Sequence, residues 1–293
     1  MPTIGRDILE AVDPPIQMAW IHASNIVNQA PNCNEIARAL ESIPFTVVVD
    51  GFMTDTAERA DLILPCELVL EKEDLVGSFL HNYTNYVGPS VTAPGQARSD
   101  HWILSELGKR LDPPILLAEA GDYLKESLDS PYLDTSLDDL RKKGFVRSNR
   151  PEIAYENLQF DHPDGKYHLP VELHDEPNPP PDFPLHLLTL VNRKFIHSQV
   201  LPEDHDLPPL VRVSSDSKAL EGIDLNKDVF LVSQVGRLKV RVKTVEGLHP
   251  EVVIYRRGDW VKLGGGANQL IEARLTDMGD GAAFYSQCVR LEN

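Results

Sequence analysis

The hydrophobic pattern of the first half of the chain alternates between strand-like and helix-like segments. Residues 45–49 form an apolar, mostly β-branched run without a period of two, and residues 18–21 form a shorter apolar run. Such runs are typical of strands that are covered on both faces. Residues 34–41 place apolar side chains at helical spacing between them. With a third apolar run at residues 62–64, this order predicts a parallel α/β sheet.

Polar residues follow two of these predicted strands. Residues 22–32, which include Ser24 and Asn25, predict a polar loop after the first strand, and residues 50–56 follow the second. Within the latter, Thr54, Asp55 and Thr56 are good N-cap residues for a short helix over residues 57–60. Ligands of parallel sheets bind beyond the carboxyl ends of strands, so the two loops form a candidate binding site. The competing interpretation is that these side chains only cap turns and the helix.

The rest of the first half is less regular. Residues 1–17 are polar with several prolines and predict an irregular lead-in, while residues 81–86 predict a loop rich in hydrogen-bonding groups. Apolar residues at helical spacing predict three further helices. These helices are expected near residues 99–111, 119–128 and 137–143.

After a proline-rich stretch at residues 177–184, the pattern changes to short strands. Residues 238–243 alternate strictly between apolar and basic side chains, and Val235-Gly236 predicts a hairpin turn before them. At least six short strands over about 110 residues favour a small closed barrel. The predicted organisation is an α/β domain with a helical extension over residues 1–176, a stiff linker over 177–184 and a β-barrel over 185–293.

Length and charge narrow the class of protein. A chain of 293 residues predicts two domains. A net charge of −17 argues against a nucleic-acid partner or an anionic membrane surface. No apolar run approaches the roughly 20 residues of a membrane span, and no signal peptide is evident, so the expected location is the cytoplasm.

The metal-binding side chains do not form a recognisable motif. The cysteines lie far apart, so the chain's own motifs build neither a zinc ribbon nor an iron–sulfur cluster. The histidines near residue 168 lie six apart, which fits no helix face, so scattered surface histidines are the preferred interpretation over a metal site. The residues concerned are Cys33, Cys66 and Cys288, and His162, His168 and His174.

Several segments along the chain occur in a familiar order. They are Ser24-Asn25, the block of residues 50–65, residues 94–103, Asn192-Arg193, residues 214–223, Gly236 and residues 266–270. In this order they resemble the C-terminal part of the molybdopterin oxidoreductases, the family of formate dehydrogenases, nitrate reductases and dimethyl sulfoxide reductases. The second half resembles that family's molybdopterin-dinucleotide-binding barrel.

The resemblance implies a fold and a cofactor. The fold would be α/β, with a partial Rossmann-like parallel sheet, followed by an all-β double-psi β-barrel. The cofactor would be molybdopterin guanine dinucleotide carrying molybdenum or tungsten, with Asp50 at guanine, the threonines and Arg193 at phosphates, and Asn268 at the pterin. The implied cofactor-binding residues are Ser24, Asn25, Asp50, Thr54, Thr56, Asn192, Arg193, Gly266 and Asn268.

The chain also departs from the family pattern. It has no Cys-x-x-Cys cluster motif and no metal-ligand motif near its start, and His81-Asn82-Tyr83 replaces the family's usual Glu-Gly-Arg. The resemblance therefore implies that an N-terminal half or subunit supplies the metal ligand and the iron–sulfur cluster, with an electron-transfer subunit as a further partner. The chain alone is not expected to be active. The alternative is a non-catalytic module for cofactor binding or assembly.

Overall fold

The structure, a computed structural model, describes residues 2–172, 178–191 and 193–293. Its internal contacts divide the chain into two compact units. Unit 1 combines residues 1–64 with residues 175–293, and unit 2 comprises residues 65–174. Unit 1 therefore joins the sheet at the start of the chain to the barrel at its end. The domain boundaries proposed from the sequence stay a prediction.

The sheet of unit 1 is parallel where its first two strands pair. Strand β2 aligns with β1 so that Val47 lies opposite Trp20 and Val49 opposite His22. The strand order is β1-β2-β3, and three helices accompany the sheet. The α/β prediction is confirmed here. The elements are α1 (Ile4–Glu10), β1 (Met18–His22), α2 (Ile26–Gln29), α3 (Cys33–Ser42), β2 (Phe45–Asp50) and β3 (Leu62–Pro65).

Helices pack against strand β1 in one buried cluster. Ile36 and Leu40 of α3 are buried together with Val27, and Ile8 of α1 and Ile21 of β1 pack against them. The central residues of β2 are about 1% exposed. The parallel register also brings the loops after β1 and β2 together, because the Ala23 N–H donates to the Val49 carbonyl at 3.1 Å.

Two sequence expectations in this region are wrong. Residues 4–10, expected to be irregular, form α1, because Ile4 and Ile8 lie one turn apart and pack on the buried cluster beside α3. Residues 26–29, expected to be a loop, form the single turn α2, whose Val27 is buried in the same cluster. Both helices are too short to be evident from local periodicity, and tertiary burial stabilises them.

The described residues of unit 2 form a small antiparallel sheet and three helices. Its helices agree with the predictions, and the Ser99 hydroxyl caps α4 by accepting from the Trp102 N–H at 3.2 Å. The loop expected at residues 81–86 is wrong, since Tyr83–Val87 is a strand between β4 and β6. Its β6 partner lies about 60 residues away in sequence, beyond any local signal. The elements are β4 (Asp74–Val76), β5 (Tyr83–Val87), α4 (Asp100–Gly108), α5 (Ala120–Glu126), α6 (Leu137–Lys143) and β6 (Phe145–Arg147).

Six strands of unit 1 close into a barrel in the order β10-β8-β11-β7-β12-β9. Strand β7 runs parallel to β11, and β8 runs parallel to β10. Buried side chains such as Leu187, Leu231 and Tyr255 fill the interior, so ligand sites must be sought at the rim. The closed-barrel prediction is confirmed. The strands are β7 (Leu185–Val191), β8 (Leu210–Ser214), β9 (Val229–Val232), β10 (Arg237–Val245), β11 (Val252–Arg257) and β12 (Cys288–Glu292).

Within the described residues, no helix combines the length and apolarity that crossing a membrane would require.

Candidate functional site

The loops that follow β1 and β2 bind the rim of the barrel along one line of hydrogen bonds, which we call the seam. On the sheet side the seam comprises residues 22–32 and 50–60, and on the barrel side residues 257–271. Asp55 is its centre and is completely buried. Its carboxylate accepts from the backbone N–H groups of Val261 at 3.0 Å and Lys262 at 2.8 Å, and from Asn28 Nδ2 at 3.2 Å. A buried carboxylate with three donors is held in one position.

Asn28 extends these contacts on both sides. Its Nδ2 also donates to the Asp259 carbonyl at 2.7 Å, and its own carbonyl accepts from Asn268 Nδ2 at 2.7 Å. A few residues on, the Asn32 N–H donates to the Ile271 carbonyl at 2.7 Å. The sheet loop and the barrel rim are therefore fixed to each other before any ligand binds.

A lysine adds a second connection at the open end of the seam. Lys262 Nζ pairs with Glu58 Oε1 at 2.8 Å and also donates to the Met53 carbonyl. Glu58 belongs to the 3-10 turn Ala57–Arg59, which directly follows the candidate loop after β2. The seam thus combines a buried network around Asp55 with an exposed ion pair.

The glycines of the barrel rim allow it to fold tightly on itself. A Cβ at Gly265 would lie 2.2 Å from Asp259 Cβ, and one at Gly266, which has φ +96°, would lie 2.7 Å from Val261 Cγ2. Adjacent glycines such as Gly264, Gly265 and Gly266 can admit a ligand close to the backbone. The close neighbours of the last two are residues of the chain itself, so they are needed for the fold whether or not a ligand binds.

Three cavities adjoin one another beside the seam. The seam cavity, about 360 Å³, is lined by Asn28, Gln29, Arg257, Asp259, Asn268 and Tyr285, among others. The Ser24 cavity, about 440 Å³, shares Gln29 and Phe284 with it. The arginine cavity, about 360 Å³, shares Arg257 and Asp259 with it. Each is within the size range of small-molecule sites, and together they suit an elongated ligand.

Two donors at this site lack hydrogen-bond acceptors among the described residues. Arg257 Nε is buried without a partner, and Arg257 lines two of the three cavities. Asn25 Nδ2 is also buried and also lacks an acceptor among the described residues, while Asn25 Oδ1 accepts a hydrogen bond from the Thr56 hydroxyl. An unsatisfied buried donor costs about 1–3 kcal/mol, so Arg257, which lines two of the cavities, would gain from a ligand that carries acceptor atoms.

The hydroxyls of the two candidate threonines, Thr54 and Thr56, form hydrogen bonds within the chain. The Thr56 hydroxyl donates to Asn25 Oδ1 at 3.0 Å and accepts from the Val27 N–H at 3.0 Å. The Thr54 hydroxyl accepts from the Ala57 N–H at 3.2 Å, as the capping interpretation expects. Both residues are at most 6% exposed. Their hydroxyls therefore position the loop and Asn25.

The other candidate residues are distributed along the series of cavities. Asp50 ends β2, where its Oδ1 accepts from the Phe52 N–H at 3.0 Å and burial raises the pKa of its carboxyl above the ordinary value. Asp50 does not line these three cavities. Ser24 lines the Ser24 cavity, Asn268 the seam cavity and Arg193 the arginine cavity. Gly266 lies on the barrel rim, and Asn192 lies outside the described residues.

Sequence reasoning missed three residues that define the site. Asp55 was interpreted as a helix cap, and Asn28 lay unremarked in a polar loop. Arg257 ends an apolar strand as part of Arg256-Arg257-Gly258, and two cations at a strand end followed by glycine are a signal that could have indicated an anion site.

The histidines discussed as metal ligands do not form such a site in the described part of the chain. The rings of His162 and His168 stack with centroids 4.0 Å apart, and His168 Nε2 lies 3.1 Å from Asp164 Oδ1. His174 lies outside the described residues. Among the residues that the structure describes, no group of three or more His, Cys, Asp or Glu side chains could hold a metal ion.

The fold and the seam define a mixed α/β and β-barrel chain with a preformed polar groove. Residues 5–110 match the family model for molybdopterin oxidoreductases, and residues 186–289 match the model for the molybdopterin dinucleotide-binding domain. The chain belongs to the molybdopterin oxidoreductase family. The resemblance inferred from the sequence is confirmed.

Relatives place the chain within this family but are longer than it is. The probable oxidoreductase YyaE of Bacillus subtilis is 30% identical over 315 aligned positions, covering 100% of this chain and 47% of the relative. The assimilatory nitrate reductase catalytic subunit of Bacillus subtilis is 28% identical, covering 82% and 37%. The chain thus spans about half the length of the first of these relatives, and less of the second.

A solved structure supports the fold alone. Acetylene hydratase from Pelobacter acetylenicus superposes with a TM-score of 0.75 at 18% sequence identity. The match covers 99% of this chain and 46% of the acetylene hydratase chain.

Proposed function

We propose that this chain is the C-terminal part of a molybdenum or tungsten oxidoreductase and binds and positions a bis(pterin guanine dinucleotide) cofactor for a two-electron redox reaction. One observation carries the proposal beyond family membership. The seam cavity is lined from the sheet side by Asn28 and Gln29 and from the barrel side by Asn268 and Arg257, whose buried Nε has no hydrogen-bond partner in the described part of the chain. The proposal includes two finer descriptions of the fold: the barrel is a double-psi β-barrel, and the parallel sheet is Rossmann-like.

The donor set fits the chemistry of such a cofactor. A pterin guanine dinucleotide combines flat heterocycles with a pyrophosphate, so it offers many acceptors and negative charge. Arg257 supplies a donor without a partner among the described residues, Arg193 supplies a further guanidinium, and Asn25 lies in the loop after β1 as a further proposed binding residue. Ser24, Asn268 and the rim at Gly266 complete the proposed binding residues, while Thr54 and Thr56 position the loop. When bound, the cofactor supplies the redox chemistry, and the chain's residues bind and orient it.

The proposal also names partners. An N-terminal half or subunit would supply the metal ligand and an iron–sulfur cluster, and a separate subunit would transfer electrons. The greater length of the relatives supports the first partner. In unit 2, Phe79 and Leu80 are more than 90% exposed, which is typical of side chains that a partner covers. Cytoplasmic location remains part of the proposal, since three cysteines far apart in the sequence fit a reducing compartment.

Asp50 is proposed to recognise guanine, and Asp50→Asn tests this role. A carboxylate can accept from both guanine N1–H and N2–H₂, whereas the amide places a donor against one of them. GDP affinity is expected to fall roughly 10–100-fold, because a buried guanine donor would lose a charged acceptor. The melting temperature should barely change, since Asn caps a turn about as well as Asp. Calorimetric titration with GDP, alongside thermal melts, measures both quantities.

The matched control is Asp182→Asn, which makes the same chemical change at an exposed position. It should leave GDP affinity at the wild-type value. Unchanged GDP affinity in Asp50→Asn together with a lowered melting temperature would make Asp50 a structural residue. The same result would exclude Asp50 as the residue that recognises guanine.

A further inference from the structure

Asp259 lies at the junction of the seam cavity and the arginine cavity and lines both. Its side chain is 18% exposed, and its backbone is fixed because its carbonyl accepts from Asn28 Nδ2. Burial raises the pKa of the Asp259 carboxyl above its ordinary value. Because water stabilises this carboxylate less than one at the surface, contacts with other side chains decide how its charge is held.

One oxygen of this carboxylate has a fixed hydrogen-bond partner, and the other faces a histidine. The Tyr255 hydroxyl, on a completely buried side chain of the barrel, donates to Asp259 Oδ2 at 2.8 Å. Burial raises the pKa of Tyr255 well above its ordinary value, so its hydroxyl stays a donor at neutral pH. Asp259 Oδ1 lies 3.8 Å from His205 Nδ1, which is too far for a hydrogen bond.

The imidazole of His205 is almost completely enclosed. Its side chain is 1% exposed, and neither ring nitrogen has a hydrogen-bond partner among the residues that the structure describes. The ring meets the Trp260 ring edge-on, with centroids 5.7 Å apart. A neutral imidazole carries one donor and one acceptor, so burying both without partners costs stability. His205 does not line either cavity, so it can act on them only through a neighbour such as Asp259.

The other charged and titratable groups near this pair leave Asp259 as the partner for His205. Asp206, the next residue in the chain, forms an ion pair with Arg241. Cys33 of α3 stays neutral, because burial raises the pKa of its thiol to about 12. The remaining charged groups line the arginine cavity together with Asp259, and they are Arg193, Asp204, Arg212, Arg256 and Arg257. Asp259 is the carboxylate that lies within 4 Å of the imidazole.

We propose that His205 and Asp259 form a pH-sensitive switch at the junction of the two cavities. When His205 takes up a proton from solvent, its Nδ1–H donates to Asp259 Oδ1, so the carboxylate is held on both oxygens and the imidazolium offsets its charge. When His205 releases the proton, Tyr255 holds the carboxylate, and its negative charge acts on both cavities. One proton moves and no electron does. His205 is a positioning residue that acts through Asp259, whichever ligand the cavities hold.

The fluorescence of Trp260 tests the switch, because a cation that appears beside an indole ring interacts with its π-electrons. The complete chain carrying Trp20→Phe and Trp102→Phe retains Trp260 as its single tryptophan. Its emission should change in one step between about pH 5 and 8, the range in which an imidazole changes charge. His205→Gln should remove this step. Asp259→Asn should move it to lower pH by roughly 1 unit or more, because the imidazolium loses the opposite charge that stabilises it.

The matched control is His197→Gln, which removes an exposed histidine whose neighbour Ser198 accepts from Trp260 Nε1. This variant should keep the step at the same pH as the single-tryptophan protein. His205→Phe fills the same buried space without a titrating group and should lose the step as His205→Gln does, while melting temperatures at pH 8 check that each variant is folded.

Three results would each overturn the switch. They are the absence of a step in the single-tryptophan protein, a step that persists in a folded His205 variant, and a step that Asp259→Asn leaves at the same pH. The measurement contains no ligand, so its failure would leave the proposed cofactor binding untouched, and a failure of cofactor binding would leave the switch untouched.

Discussion

Asp55→Ala is expected to lower the free energy of unfolding of unit 1 by about 3–5 kcal/mol, because it removes a completely buried acceptor of three hydrogen bonds. The N–H groups of Val261 and Lys262 would lose their Asp55 acceptor, while Asn28 Nδ2 would keep its bond to the Asp259 carbonyl. Denaturant unfolding followed by tryptophan fluorescence measures the loss, with buried Trp260 reporting from the seam itself.

Asp61→Ala is the matched control for this prediction. Asp61 also follows β2 and accepts from a backbone N–H, that of Thr46, at 2.7 Å, but it makes this single bond at an exposed position. Its loss should cost about 1 kcal/mol. Equal destabilisation by the two substitutions would mean that the Asp55 network does not hold the sheet to the barrel.

Gly258→Ala is expected to destabilise unit 1 by about 3–5 kcal/mol, since backbone strain and steric overlap add. Gly258 has φ +129°, a conformation that side chains rarely adopt, and an added Cβ would lie 2.3 Å from the His197 carbonyl oxygen. The rim would have to shift, moving Asp259 and Trp260. Thermal melts and GDP titration should both register the change.

Gly222→Ala separates the cost of backbone strain from the cost of steric overlap. Gly222 also has a positive φ, +80°, but an added Cβ would meet nothing within 4 Å. Its cost should be about 1–2 kcal/mol, from backbone strain alone. If Gly258→Ala cost no more than Gly222→Ala, the close approach of the rim to residue 197 would not constrain the site.

Local sequence patterns were sufficient for much of the fold. Strand β10 was predicted because Leu238 and Val240 alternate with Lys239 and Arg241, and the structure buries the first pair and exposes the second. Strand β2 was predicted from its β-branched run, and the structure buries its central residues. In both cases the information lies within a few consecutive residues.

The site depended on contacts that no local pattern contains. Asp55 and Lys262 are 207 residues apart in sequence, and their hydrogen bond exists only because the barrel closes beside the sheet. Thr56 was predicted to contact a ligand, whereas its hydroxyl forms hydrogen bonds with Asn25 Oδ1 and the Val27 N–H. The unpartnered state of Arg257 likewise follows from the packing around it and could not have been read from its neighbours in sequence.

The proposed binding of a pterin guanine dinucleotide at the seam is tested most directly by the nucleotide, pterin and metal content of the purified natural protein that contains this chain, after acid release of bound cofactor. GMP and oxidised fluorescent pterin are expected in fixed proportion to molybdenum or tungsten, with about two GMP per metal for a bis(dinucleotide) cofactor. Metal-loaded protein that releases pterin without GMP, or GMP without pterin, would contradict it.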